Sequence, residues 1–484
     1  MSRFQKIIRT IVNSFTGHSK YLNMLYKSLF FLFLGLSFFA SAQVKDDADA
    51  MMIKKIYDNE LTNGKCYPWL YDMCTKIGGR LSGSDNAAKA VDYTKKMLDT
   101  SGITTRLQAC MVPHWVRGAK EEVLMHSKQT GDSFLRALSI GNAVGTGAKG
   151  IEAEVIEVKS LDEVTALGDK VKGKIIFYNA PMNPTNINPF KSYGESGAQR
   201  YAGASRAAQF GALGVLVRSL TTEHDDNPHT GSLRYDEKQP KIPAICISTN
   251  AADKLSVALK NEPGLKIFMK STCEMLPDVE SFNVIGEIKG SEKPDEIIVV
   301  GGHLDSWDPA QGAHDDGAGS VQSMEVLGLL KRIGYQPKRT IRCVLFMNEE
   351  NGLKGARKYA EEAKKSEKEK HIFALESDEG GFSPREISFE GDSVAMMQKF
   401  SKIQNWSSLM KPYGVDITKG GSGADVGALQ DKNIILAGLR PDPNRYFDFH
   451  HTAIDRIEGV NRRELELGAA TMTAIVYLID KYGL

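Results

Sequence analysis

Apolar residues recur with two different spacings through the second half of this chain. From about residue 281 onward, short near-continuous apolar runs read as buried strands. They are Glu296-Ile297-Ile298-Val299-Val300, Ile341-Arg342-Cys343-Val344-Leu345-Phe346-Met347, His371-Ile372-Phe373-Ala374-Leu375-Glu376 and Ile434-Ile435-Leu436-Ala437. Between them the spacing turns helical. Val321, Met324, Leu327 and Leu330 share one face of a helix over 318–333, and 352–369 reads as a charged amphipathic helix. Leu465, Met472, Ile475 and Leu478 point inward from a last helix over 463–481. Strands alternating with helices predict an α/β fold: a mostly parallel sheet with helices on both faces.

The first half has a different texture. Helices are predicted over 48–64 and 85–100, the second capped by Ser84 or Asp85, and strands over 104–126. From about 137 to 272 short β-like runs appear: Ala153–Val158, Lys174–Tyr178, Gly214–Val217 and Ile242–Ile247. Gly/Asn/Pro loops separate them, with one helix around 197–211. No His/Asp/Glu set there has ligand-like spacing. His224, Asp225, Asp226 and His229 read as a solvated polar loop. The segment reads as an inserted β-rich domain without catalytic residues. The expected boundaries are 1–42 leader, 43–136 first part of the catalytic domain, 137–272 insert and 273–484 remainder of the catalytic domain.

Composition adds mainly exclusions. The 484 residues are 42% hydrophobic and 25% charged, an ordinary globular balance with room for two or three domains. Formal net charge is +1, and removing the first 42 residues, which hold five basic and no acidic side chains, takes it to −4. A nucleic-acid binder would show a basic excess on its folded part. Lys27, the apolar run Leu29–Phe39 and then Ala40-Ser41-Ala42 follow the order of a cleavable export signal. The competing reading is an uncleaved anchor, but the run is short for a bilayer. Export to an extracytoplasmic location is expected, with no membrane insertion after cleavage. The six cysteines include no C-x-x-C pair, and Cys343 sits inside a predicted core strand.

The chemistry sits where an open α/β sheet collects it, at the carboxyl ends of strands. His303 follows the first of these strands by two glycines, Glu349 and Glu350 follow the second, and Asp378 follows the third. Asp315 and Asp316 lie in the loop after His303, and His450-His451 follow the fourth strand. Each motif alone is weak: an Asp pair can cap a helix, and a Glu pair can sit at a solvated helix start. All of them on one rim are harder to explain by accident. Imidazole and carboxylate ligands suit zinc or a similar divalent ion. Five are too many for one catalytic zinc with an open position, and fit two metals if one carboxylate bridges. Two metals roughly 3.5–4 Å apart can hold a hydroxide between them and polarise a carbonyl. Adjacent glutamates then allow one to bind metal while the other serves as base. Asp305, two residues past His303, can hold that ring's free nitrogen.

Taken in order, His303-Leu304-Asp305, Gly312-Ala313-His314-Asp315-Asp316, Asn348-Glu349-Glu350-Asn351-Gly352, Glu376-Ser377-Asp378 and Phe449-His450-His451-Thr452-x-x-Asp455 resemble the co-catalytic di-zinc aminopeptidase family. The likeness is greatest to its carboxypeptidase Q (plasma glutamate carboxypeptidase) branch, and 137–272 matches the protease-associated domain which that branch inserts. The resemblance implies two zinc ions per chain, with Asp315 bridging. His303 and Asp378 would complete one site, and Glu350 and His451 the other. It implies Glu349 as general base and Asp305 as the orienting acid. His-Thr-x-x-Asp selects His451 over His450, and the small-residue turn selects Asp315 over Asp316. Ser422, Gly423 and Asp425 match a loop lining the substrate pocket, although Val426 stands where many members have His. Homodimerisation is implied by the resemblance alone.

The expected function is a secreted metallo-exopeptidase. It removes the amino-terminal residue of dipeptides or short peptides with a two-zinc-bridged hydroxide. Two other classes are weighed: a single-zinc glutaminyl cyclase-like acyltransferase, and a non-catalytic receptor-like ectodomain. An intact set of five ligands and a base argues against both.

Overall fold

The computed structural model describes residues 47–484. The expected leader, 1–42, lies outside the described residues. Residues 47–63 are helical. Residues 56–484 form one unit, which contains two sheets.

Helix Cys66–Lys76 comes next, and the apolar pattern does not announce it. Its Pro68 lies in the first turn, where no backbone N–H is needed. Helix Asp85–Thr100 matches its expectation: Ser84 caps it by accepting from the Ala87 amide.

Strand β1 (Thr104–Val116) opens one sheet. The chain then builds a second sheet from β2 (Glu121–His126), β3 (Ser133–Leu135), β4 (Ala137–Ser139), β5 (Ile151–Val158), β6 (Ile175–Tyr178), β7 (Gly214–Arg218), β8 (Ala244–Ile247) and β9 (Lys266–Ser271). It returns to the first sheet with β10 (Glu274–Ile288), β11 (Lys293–His303), β12 (Arg339–Phe346), β13 (Lys370–Glu376), β14 (Pro384–Glu390), β15 (Asp416–Lys419) and β16 (Ile435–Pro441).

The order in the first sheet is β1-β10-β12-β11-β13-β16-β14-β15. Its centre is parallel: β12 with β11, β11 with β13, and β13 with β16. The antiparallel pairings lie to either side, β1 and β10 on one flank and β14 against β16 on the other. Strands covered on both faces should be apolar throughout, and β12 is buried at all eight positions. Ile297 and Val299 of β11 pack with Val344 and Phe346 of β12 against Ala356, Tyr359 and Ala360. Those last three belong to helix Lys354–Lys365. By the two-residue alternation of a strand, Ile298 and Val300 face the other side. Helices Ala318–Arg332 and Arg462–Tyr482 pack together and cover that side. Residues 318–330 are buried at every position.

The second sheet runs β3-β2-β9-β5-β6-β7-β8-β4, parallel from β5 through β8. Helix Thr249–Asn261 packs on one face through Ala251, Ala252 and Leu255. The core on the other face includes Trp115 and Trp307, side chains from β1 and from the loop after β11. The helix expected around 197–211 is instead three short pieces, Pro189–Ser196, Ala198–Tyr201 and Gly203–Ala208. Among the described residues no helix is long and apolar enough to cross a membrane.

Candidate metal centre

His303 is the last residue of β11 and pairs with Phe346 at the end of β12. Glu376 ends the neighbouring β13, two residues before Asp378. Glycine is required before His303: a Cβ on Gly302 would lie 2.5 Å from Asp316 Oδ2 and 2.7 Å from the Gly319 backbone. That close approach lets the start of helix Ala318–Arg332 reach the strand end. Asp316 joins the two. Its Oδ2 accepts from the His303 amide at 2.9 Å, and its Oδ1 from the Gly319 amide at 2.8 Å. Both oxygens are thereby occupied by backbone, although Asp316 stands within ligand reach of His303 and Asp378.

Asp315 is free to face the cavity, and its two oxygens look two ways. Oδ1 is 3.2 Å from His303 Nε2, which is itself 3.2 Å from Asp378 Oδ1. Oδ2 is 3.2 Å from His451 Nε2, which is 3.2 Å from Glu350 Oε2. His450 Nε2 stands farther off, 3.9 Å from Asp315 Oδ2, with its ring stacked on His451 at 3.5 Å. Glu349, half-buried, joins these five side chains around one cavity of about 610 Å³.

The ring nitrogens turned away from the cavity are held by carbonyls. His303 Nδ1 lies 2.9 Å from the Asp305 carbonyl, and His451 Nδ1 3.3 Å from that of Thr230. A carbonyl can only accept, so each Nδ1 carries a proton, and each Nε2 faces carboxylates, which it meets as an N–H or through a cation bound to its lone pair. The electrostatics show how strongly these carboxylates favour positive charge there. Burial works to lower the His303 pKa, yet Asp378 and Asp315 hold it well above its ordinary value. Burial and the neighbouring Asp315 push Glu350 up to about 7. Burial, with Asp378, Glu350 and Asp305 nearby, raises Glu349 well above the usual carboxylate range. The pocket thus gathers more buried carboxylates than its side chains neutralise, which is the setting divalent ions relieve.

Asp305 differs from its expected contact. Its carboxylate is 3.9 Å from His303 Nδ1, and the bond to that ring comes from its own backbone carbonyl. Oδ1 instead accepts from the amides of Asn348 at 2.7 Å and Glu349 at 3.0 Å. The turn after β12, with Asn348 at φ 72°, leaves those amides unpaired. A buried carboxylate satisfies them and thereby seats Glu349.

The loop expected to line the pocket lies elsewhere. Ser422 is buried and donates to Glu390 Oε1 at 2.7 Å. A Cβ on Gly423 would meet the Glu376 carboxylate at 2.2 Å. The amides of Asp425 and Val426 donate to Glu376 at 3.3 and 2.6 Å. Gly423, Asp425 and Val426 form a seat for Glu376 behind the rim, and neither they nor Ser422 line the cavity. Burial, Glu376 and Glu349 together raise the Asp425 pKa well above normal.

The contacts of several positioning residues had no sequence signal, although Asp455 stands in the His-Thr-x-x-Asp motif. Asp455 accepts from the amides of His314 at 2.7 Å and Asp315 at 3.1 Å. Arg80, fully buried, donates to the carbonyls of Leu304 at 2.6 Å, Gln311 at 2.7 Å and Gly312 at 3.0 Å, clamping the loop after His303. His229 is no solvated loop residue: it is 1% exposed, and its Nδ1 lies 2.7 Å from the His450 carbonyl. The next amide, Thr230, donates to the His451 carbonyl at 3.0 Å. Only the composition of the His224–His229 loop was visible in sequence, and its partners lie 221 residues away.

The sequence model of peptidase family M28 matches residues 283–476, the stretch that contains all five of these candidate ligand side chains and Glu349. The chain is 33% identical to carboxypeptidase Q of Bos taurus over 417 residues, covering 86% of this chain and 85% of that one. It is 33% identical to carboxypeptidase Q of Mus musculus over 440 residues, 90% of each. A crystal structure of a peptidase M28 precursor from Shewanella amazonensis SB2B superposes with a TM-score of 0.83 at 32% identity, covering 90% of this chain and 97% of that one. A zinc aminopeptidase from Bacillus subtilis shares the fold at 19% identity, with a TM-score of 0.61 over 85% of this chain and 94% of that one.

Proposed function

Because the chain belongs to peptidase family M28 and is a metallopeptidase, we propose that it is a zinc-dependent exopeptidase that removes the amino-terminal residue of dipeptides or short peptides. The observation that carries this reading is the double orientation of Asp315, one oxygen toward His303 and Asp378 and the other toward His451 and Glu350. Those five residues would hold two zinc ions with Asp315 between them. Bound zinc supplies Lewis-acid activation of water and of the scissile carbonyl.

The remaining work belongs to the protein's own groups. Glu349 takes the proton of the attacking water and delivers it to the leaving amine. Its carboxylate must be ionised to begin, and cations at the centre reverse the raised pKa it has among carboxylates. Asp305 holds the Asn348-Glu349 turn so that the base is presented at one angle. A half-enclosed cavity with the metal residues in its floor suits a chain end rather than the middle of a long peptide. We assign the second sheet, which begins at Glu121 rather than at the expected residue 137, to a protease-associated domain, and residues 1–42 to an export signal.

Glu349→Gln tests the role of the base. The variant should fold and retain zinc, and lose turnover by about a thousandfold or more, as for removal of a general base with its charge. Activity within about tenfold of wild type would show that another group moves the proton.

A further inference from the structure

The cavity over the metal centre has a wall from the connections of the second sheet, and that wall holds an unusual cation. Arg200 lies in helix Ala198–Tyr201, borders the cavity and is 9% exposed. Among the described residues it has no ion-pair partner. Its hydrogen bonds go to uncharged oxygens: Nη1 donates to the Thr230 carbonyl at 3.0 Å and Nη2 to the Tyr193 hydroxyl. Nε has no partner. The Tyr193 ring lies against the guanidinium, its centroid 5.2 Å from Cζ. A buried guanidinium without a counter-ion is costly, and a bound anion removes that cost.

The charge of the whole cavity points the same way. Four carboxylates line it, Asp315, Glu349, Glu350 and Asp378, facing three guanidinium groups, Arg200, Arg234 and Arg357. Two divalent ions on the carboxylates would leave an excess of three positive charges. Arg234 and Arg357 are exposed, so water already solvates them; Arg200 is the buried one. It is also joined to a candidate metal ligand through one shared carbonyl. The Thr230 carbonyl that accepts from Arg200 lies 3.3 Å from Nδ1 of His451.

We propose that Arg200 receives a carboxylate of the substrate peptide. The proposal rests on the exopeptidase reading and names what that site selects. A peptide offers a carboxylate from its free C-terminus or from an acidic side chain. With the amino end at the metal centre, only a short peptide brings its C-terminus to this wall. Arg200 would then both bind the substrate and set its length. Its forked donors suit a carboxylate better than a lysine would.

The experiment compares kcat/KM for Ala-Leu, Ala-Leu amide and Ala-Glu amide with the zinc-loaded full chain. Wild type should favour a carboxylate-bearing peptide over Ala-Leu amide by about tenfold or more, chiefly through KM. Preference for Ala-Leu assigns the C-terminus, and preference for Ala-Glu amide assigns the side chain. Arg200→Gln should reduce that ratio about tenfold, and Arg200→Lys about threefold or more. Arg234→Gln and Arg357→Gln should each move it less than about threefold. Hydrolysis of all three substrates by wild type without discrimination overturns the role of Arg200 and leaves the exopeptidase standing. So does an unchanged ratio in whichever Arg200 variant folds. Absence of zinc-dependent hydrolysis of any of them overturns the reading beneath it.

Discussion

Asp315 and Asp316 are neighbours of identical chemistry with opposite tasks, and the backbone divides them. Asp316 accepts from two buried amides, so Asp316→Asn puts an N–H donor against a donor. We expect a loss of about 2–3 kcal/mol in stability, with zinc content unchanged in protein that folds. Asp315→Asn should do the reverse: near-normal stability without metal, at least one zinc lost, and little turnover. Zinc analysis beside urea unfolding separates the pair, and equal zinc loss in both variants would contradict the division. This distinction was not legible from composition or spacing, because either Asp can cap a helix. Only the family motif favoured Asp315, and the positions of the His303 and Gly319 amides give the physical reason. Asp305 behaves alike. Its place near the site was legible from His-x-Asp, but its partners were not, because they are backbone groups 43 and 44 residues away.

At the scale of elements, the four central strands and the helices between them were legible because both faces of the sheet are covered. Strands β14 and β15 and helix Cys66–Lys76 were not, since they are short or half-exposed and lack clean periodicity. In the segment after β7, His224 and Asp226 are exposed as expected, but His229 is buried, and His229 and Thr230 bring this connection of the second sheet against the His450-His451 loop. His229→Ala removes one of those contacts. It should lower zinc retention on the His451 side by about tenfold or more, as loss of an outer-shell partner does. Chelator competition reads this directly, and retention equal to wild type would mean that the Thr230 contacts suffice alone.

A second element-scale prediction concerns helix Lys354–Lys365 against β13. Arg342 Nη1 donates to the Tyr359 hydroxyl at 3.3 Å, and that hydroxyl lies 2.9 Å from His371 Nε2. Burial and Arg342 push the His371 pKa from 6.5 down to about 4. A histidine held neutral in the folded state contributes fully above its unfolded pKa, and that contribution is lost as pH falls through the folded one. Between pH 7 and pH 5 wild type should therefore lose about 2 kcal/mol more stability than His371→Gln. Parallel pH dependence in urea unfolding of the two proteins would contradict this.

In the molecule as a whole, two sheets meet over a floor of carboxylates that bound cations would stabilise. Zinc binding and folding are then linked, and loaded protein should melt higher than chelated protein, by about 4 kcal/mol of stabilisation at a thousandfold excess over Kd. The number of zinc ions per chain in active protein after exhaustive dialysis, for wild type and for His303→Ala and His451→Ala, decides whether the centre is built as proposed. Two are expected in wild type and one in each variant. Full activity with a single zinc in wild type, or loss of the same single ion in both variants, would contradict a centre built on both faces of Asp315.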